Sequence, residues 1–79
     1  MKEGRAASRY RVQKSAWIEH GGEKIPCTVC DLSLTGASLE LFDPKSAPAK
    51  FTLVIPEDKL ALACQVVRRM EFRIGIRFD

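Results

Sequence analysis

The 79-residue chain has no apolar run approaching the length of a membrane-spanning helix, and Met1 is followed by Lys2, Glu3 and Gly4 rather than by a hydrophobic signal region. No membrane insertion is expected, and the default location is the cytoplasm. Histidine occurs once, as His20 beside two glycines, so Asp31 and Ser33 have no evident base with which to complete a nucleophilic site, and an enzyme is not expected. Aromatic residues are 8% of the chain, most at positions expected to face inward. That is a poor supply for the stacking surface of a single-stranded nucleic-acid binder. There is no internal repeat, no low-complexity tract and no convincing helical period. Cysteine is present in an odd number, three, which in a reducing compartment stay free. Cys27 and Cys30 form a C-x-x-C, but inside an extended run that spacing turns the two thiols to opposite faces. Cys64 and His20 could barely complete a zinc site, so packing is expected and no metal.

What is there suits one small soluble domain, 46% hydrophobic and 29% charged. The net charge of +3 is unevenly placed: residues 1–11 hold four basic side chains and one acidic, whereas residues 12–79 hold nine of each. The chain divides into a flexible basic arm over 1–11, with Arg5 and Arg9 spaced R-x-x-x-R, and a neutral domain over 12–79. Such an arm seeks an anion, whether nucleotide phosphate, nucleic-acid backbone or membrane surface.

Six short strands are expected. Val12 to Glu19 forms the first, and His20-Gly21-Gly22-Glu23 turns the chain. Lys24 to Cys30 alternates, with Ile25, Cys27 and Val29 on one face, and Pro26 places that part of the strand at an edge or paired on one side only. Ala37, Leu39 and Leu41 define a third strand with a solvated polar face. After a loop over 42–50, Phe51, Leu53 and Ile55 define a fourth. Leu60 to Arg69 is a fifth, and Met70-Glu71 leads into a sixth over 72–78. Strands of this length with regular turn signals describe a small antiparallel β-barrel or sandwich, and closure into a barrel would remove exposed edges.

Between the second and third strands lies the polar turn Asp31-Leu32-Ser33-Leu34-Thr35-Gly36. Asp31 offers an anionic acceptor, Ser33 a hydroxyl, and Gly36 either a positive φ or room for a close approach. The same residues also suit an ordinary turn in which Asp31 bonds its own backbone. Arg9 precedes Asp31 by 22 residues, about one hairpin, so the arm can return beside this turn.

Arg5 and Arg9 followed by Tyr10, then Asp31-x-Ser33-x-x-Gly36-Ala37, then Val66-Val67-Arg68-Arg69 and Arg73-Ile74-Gly75-Ile76-Arg77-Phe78, together resemble the PilZ domain family. The resemblance implies a bacterial six-stranded barrel that acts as a receptor for cyclic di-GMP. It implies ligand contacts from Arg5, Arg9, Asp31, Ser33 and Gly36. The chemistry is suitable: arginine forks match the O6/N7 edge of guanine and also pair with phosphate, while Asp31 accepts from a guanine donor edge. Many relatives continue into a C-terminal helix, which is expected to be absent here because Asp79 directly follows the last strand. Ordering the arm costs about 1–2 kcal/mol per residue in backbone entropy, so moderate affinity and a ligand-driven ordering that signals to a downstream protein are expected. Two rivals remain: a PilZ-like interaction module that does not bind the nucleotide, and a small basic barrel that binds nucleic acid.

Overall fold

Alternation sets the inside and outside of each strand. In the fourth strand Phe51, Leu53 and Ile55 are buried while Thr52 and Val54 between them are partly open, as a pleat packed on one face requires. The computed structural model describes residues 10–79. Six strands follow in order: β1 (Tyr10–His20), β2 (Glu23–Leu32), β3 (Gly36–Glu40), β4 (Lys50–Ile55), β5 (Leu60–Arg69) and β6 (Arg73–Phe78). All neighbouring pairs are antiparallel, and the sheet closes in the order β1-β2-β3-β6-β5-β4, with Trp17, Ile18 and Glu19 meeting Val54, Leu53 and Thr52 at the seam. Among the described residues the only helical segments are two 3-10 turns, Pro44–Ser46 and Pro56–Asp58.

The inward positions meet in one core. Ile18, Val29, Leu39, Leu53 and Ile74, one each from β1, β2, β3, β4 and β6, are wholly buried. Each such side chain contributes about 1.5–3 kcal/mol of transfer free energy. The β1–β2 hairpin turns through Gly21 and Gly22 at φ 58° and 85°, left-handed conformations that β-carbons disfavour. Pro26 pairs with Trp17 on β1, and β2 pairs with β3 only from Thr28 onward, so the missing N–H removes no ladder bond on that side.

Three expectations are corrected. β1 begins at Tyr10, and both Tyr10 and Arg11, assigned above to the arm, pair with Leu32 and Asp31. β2 continues through Asp31 and Leu32, so the turn into β3 is only Ser33-Leu34-Thr35. Most aromatics do not face inward: only Phe51 is buried, whereas Phe42 is 95% and Phe72 57% exposed and Tyr10 is also exposed. Phe42 and Phe72 lie in connections rather than strands, where the two-residue period gives no information about facing.

Candidate functional site

Along β2, Ile25, Cys27 and Val29 point inward, and unbroken alternation would carry Asp31 in with them. Instead Val29 pairs with Leu39 and Asp31 with Ser38, leaving Cys30 as an extra residue in β2. This β-bulge switches facing, so Asp31 emerges on the outer surface while Leu32 returns to pack on the core. The same device recurs in β5. Val66 pairs with Ile76 and Arg68 with Gly75, so Val67 is the extra residue and Arg68 turns outward. An unpaired charge inside so small a barrel would be prohibitive, and each bulge removes that conflict.

The result is one cross-strand row on the outer face. Arg11 pairs with Asp31, Asp31 with Ser38, Ser38 with Gly75, and Gly75 with Arg68, crossing β1, β2, β3, β6 and β5. Asp31, Ser38, Gly75, Arg68, Val67 and Arg73 help to line a hollow of about 250 Å³. A methyl placed on Gly75 would lie 3.7 Å from Arg68 Cβ and 4.0 Å from Arg68 Nε, so the arginine stem runs beside a floor without side chain. A second hollow, of about 290 Å³, shares Asp31 and Arg73 and reaches Arg11, Thr28, Cys30 and Glu40. Three guanidinium groups against two carboxylates give these hollows a cationic balance suited to an anion that also carries hydrogen-bonding edges. Ser38, which lines the first hollow, is buried at 8% exposure, so the polar face of β3 is not uniformly solvated.

Arg5 and Arg9, the two arginines of the R-x-x-x-R spacing, lie outside the described residues. Ser33 organises the short turn. Its Oγ accepts from the N–H groups of Thr35 (3.3 Å) and Gly36 (3.2 Å) and lies 3.2 Å from the Gly36 carbonyl, while the Ser33 N–H donates to that carbonyl at 2.9 Å. At Gly36, a β-carbon would overlap the carbonyl oxygen of Ile76 and stand 3.2 Å from its carbon. The space beside Gly36 is thus filled by the backbone of β6.

The remaining arginines divide by role. Arg69 Nη1 donates to the carbonyls of Pro44 (2.7 Å) and Ala47 (2.9 Å), fastening the β3–β4 connection, so it does not belong to a freely solvated face. Arg77 pairs across the sheet with Gln65, whose amide oxygen can accept from its guanidinium. Arg68 and Arg73 line the hollow beside Asp31. Sequence reading left Arg68 undistinguished, although one signal was present. A charge at the position where Leu60, Leu62, Cys64 and Val66 predict an inward side chain points to a bulge.

Two of the three cysteines belong to the core. Burial pushes the Cys27 thiol up to about 12 and the Cys64 thiol up to about 11. Among the described residues no group of three or more His, Cys, Asp or Glu is arranged to hold a metal ion. Trp17 donates from Nε1 to Glu19 at 2.7 Å and carries Lys24 5.1 Å from its ring centre, a surface cluster near the β1–β2 hairpin. His20 lies at that hairpin, at the other end of β1 from Arg11.

The described residues thus build a six-stranded closed barrel with an acidic strand end, a tight Ser–Gly turn and a cationic outer hollow. The family model of the PilZ domain matches residues 3–79, and the chain belongs to that family. PilZ domains are ligand-binding effector modules for cyclic di-GMP. No curated protein matches the chain. No helix among the described residues is long and apolar enough to cross a membrane.

Proposed function

We propose that this PilZ domain is a bacterial, cytoplasmic cyclic di-GMP receptor that binds the messenger on the outer face of β2, β3, β6 and β5. The observation that carries the reading is the pair of bulges. Each turns outward a charged residue that alternation would bury, and together they set Asp31 and Arg68 on either side of Ser38 and Gly75. Bulges that re-aim side chains in this way are typical of functional rims.

Cyclic di-GMP brings two phosphates and two guanines. Asp31 accepts from a guanine donor edge. Arg68 and Arg73 donate to an acceptor edge or to phosphate. Arg5 and Arg9 close on the ligand from the arm, where a guanidinium can pair with phosphate and stack on a base. Ser33 and Gly36 act through geometry: the serine holds the turn beside Asp31, and the glycine lets β3 and β6 approach. Ordering of the arm over the ligand creates the surface that a downstream protein reads.

The test is calorimetric titration of the purified chain with cyclic di-GMP beside Arg9→Ala and Asp31→Ala, with hydrogen exchange followed over residues 1–11. Saturable binding lost in both variants, with increased protection of the arm, supports the proposal. A folded wild-type chain that neither releases heat nor displaces labelled ligand overturns it in favour of the interaction module. Displacement by bulk RNA at comparable concentration favours the nucleic-acid reading instead.

A further inference from the structure

Ser38 is a hydroxyl turned toward the hollow with nothing in the described protein to bond. It is 8% exposed, lies between the inward-facing Ala37 and Leu39, and lines the hollow shared by Asp31 and Arg68. It makes no side-chain hydrogen bond among the described residues. Buried polar groups without a partner are uncommon in folded proteins, and each one calls for a reason. The cross-strand neighbours supply part of it. On one side stands Asp31; on the other stands Gly75, which has no side chain to offer.

We propose that Ser38 is a further ligand contact, its hydroxyl bonding a guanine edge of the cyclic dinucleotide beside Asp31. The inference rests on the cyclic di-GMP reading above. A carboxylate only accepts and a guanidinium only donates, whereas a hydroxyl does both. Ser38 thus supplies the one neutral, reversible partner between a fixed acceptor and a fixed donor. That combination suits a base whose edges carry both donors and acceptors, as those of guanine do. Because the hydroxyl is already desolvated by its surroundings, ligand gains a hydrogen bond there without stripping the group of bulk water.

The experiment compares the full chain with Ser38→Ala by thermal melting and by titration with cyclic di-GMP. Removal of a hydroxyl that bonds nothing in the protein leaves the melting temperature equal or higher, while the dissociation constant rises about tenfold, the loss of one hydrogen bond. Wild-type affinity in Ser38→Ala overturns the inference and leaves the receptor reading standing. Weaker binding together with a lowered melting temperature reveals a structural role and also overturns it. Absence of binding by the wild-type chain overturns both.

Discussion

Asp31 and Arg68 occupy the two sides of one groove, three strand spacings apart, about 14 Å along the curved sheet. Between them lie only a serine and a glycine. The opposed charges leave a low floor with an acceptor at one wall and a donor at the other, a polarity that a base with distinct edges can match in one orientation.

Removal of either wall should therefore weaken binding without unfolding the barrel. Asp31→Ala and Arg68→Ala are each expected to raise the dissociation constant for cyclic di-GMP by about 10- to 100-fold, the equivalent of a charge-assisted hydrogen bond of about 1.5–3 kcal/mol. Titration calorimetry with circular dichroism as the control checks this. Arg68→Ala binding as tightly as wild type would remove Arg68 from the site.

The two glycines facing β6 and β5 should behave oppositely. Gly36→Ala places a methyl on the Ile76 carbonyl, backbone that cannot swing aside, and is expected to cost about 2–3 kcal/mol in urea unfolding. Gly75→Ala meets only ordinary contacts, the nearest at 3.7 Å, so stability should hold while the raised floor weakens ligand binding.

Ser33→Ala removes the hydroxyl that holds two turn N–H groups. A stability loss of about 1 kcal/mol is expected in chemical denaturation. Any loss of affinity should shrink at low temperature, where the turn is held by the remaining Ser33 N–H bond to Gly36.

Thiol chemistry should separate the three cysteines. Cys27 and Cys64 are buried, with thiols pushed up to about 12 and about 11, so at pH 8 a disulfide reagent should label Cys30 first and the other two only on unfolding. The raised folded values carry a sign for stability. Above pH 9 the unfolded chain releases thiol protons that the folded chain keeps, so stability is intact below about pH 9 and declines as pH rises toward 11–12. Melting followed from pH 8 to pH 11 checks the trend, and replacing both buried cysteines by alanine should flatten it.

Arg69 gives a contrast to Arg68. Arg69→Met loses the bonds to the Pro44 and Ala47 carbonyls and should lower stability by about 1–3 kcal/mol while ligand affinity is retained.

The barrel was legible because Ile25-Cys27-Val29, Ala37-Leu39-Leu41 and Phe51-Leu53-Ile55 each keep the two-residue period, and because Gly21-Gly22 and Pro26 have few alternative uses. The site was legible only in part. Asp31 was recognised but assigned to a turn, since a bulge adds a residue without any compositional mark and Cys30 looks like one more strand position. Arg68 was passed over for the same reason, with Val67 hiding the change of face. Phe72 was misjudged because alternation was extended past the end of a strand, and the hold of Arg69 on two carbonyls depends on a connection that folds back from 25 and 22 residues away.

The bulges also give the site a genetic signature. Substituting Cys30 or Val67 changes one side chain, and deleting either in frame sets Val29 directly before Asp31, or Val66 directly before Arg68, so that plain alternation still turns the charge outward. Loss of a single codon there would straighten the strand while every motif residue, and the face to which it points, is kept.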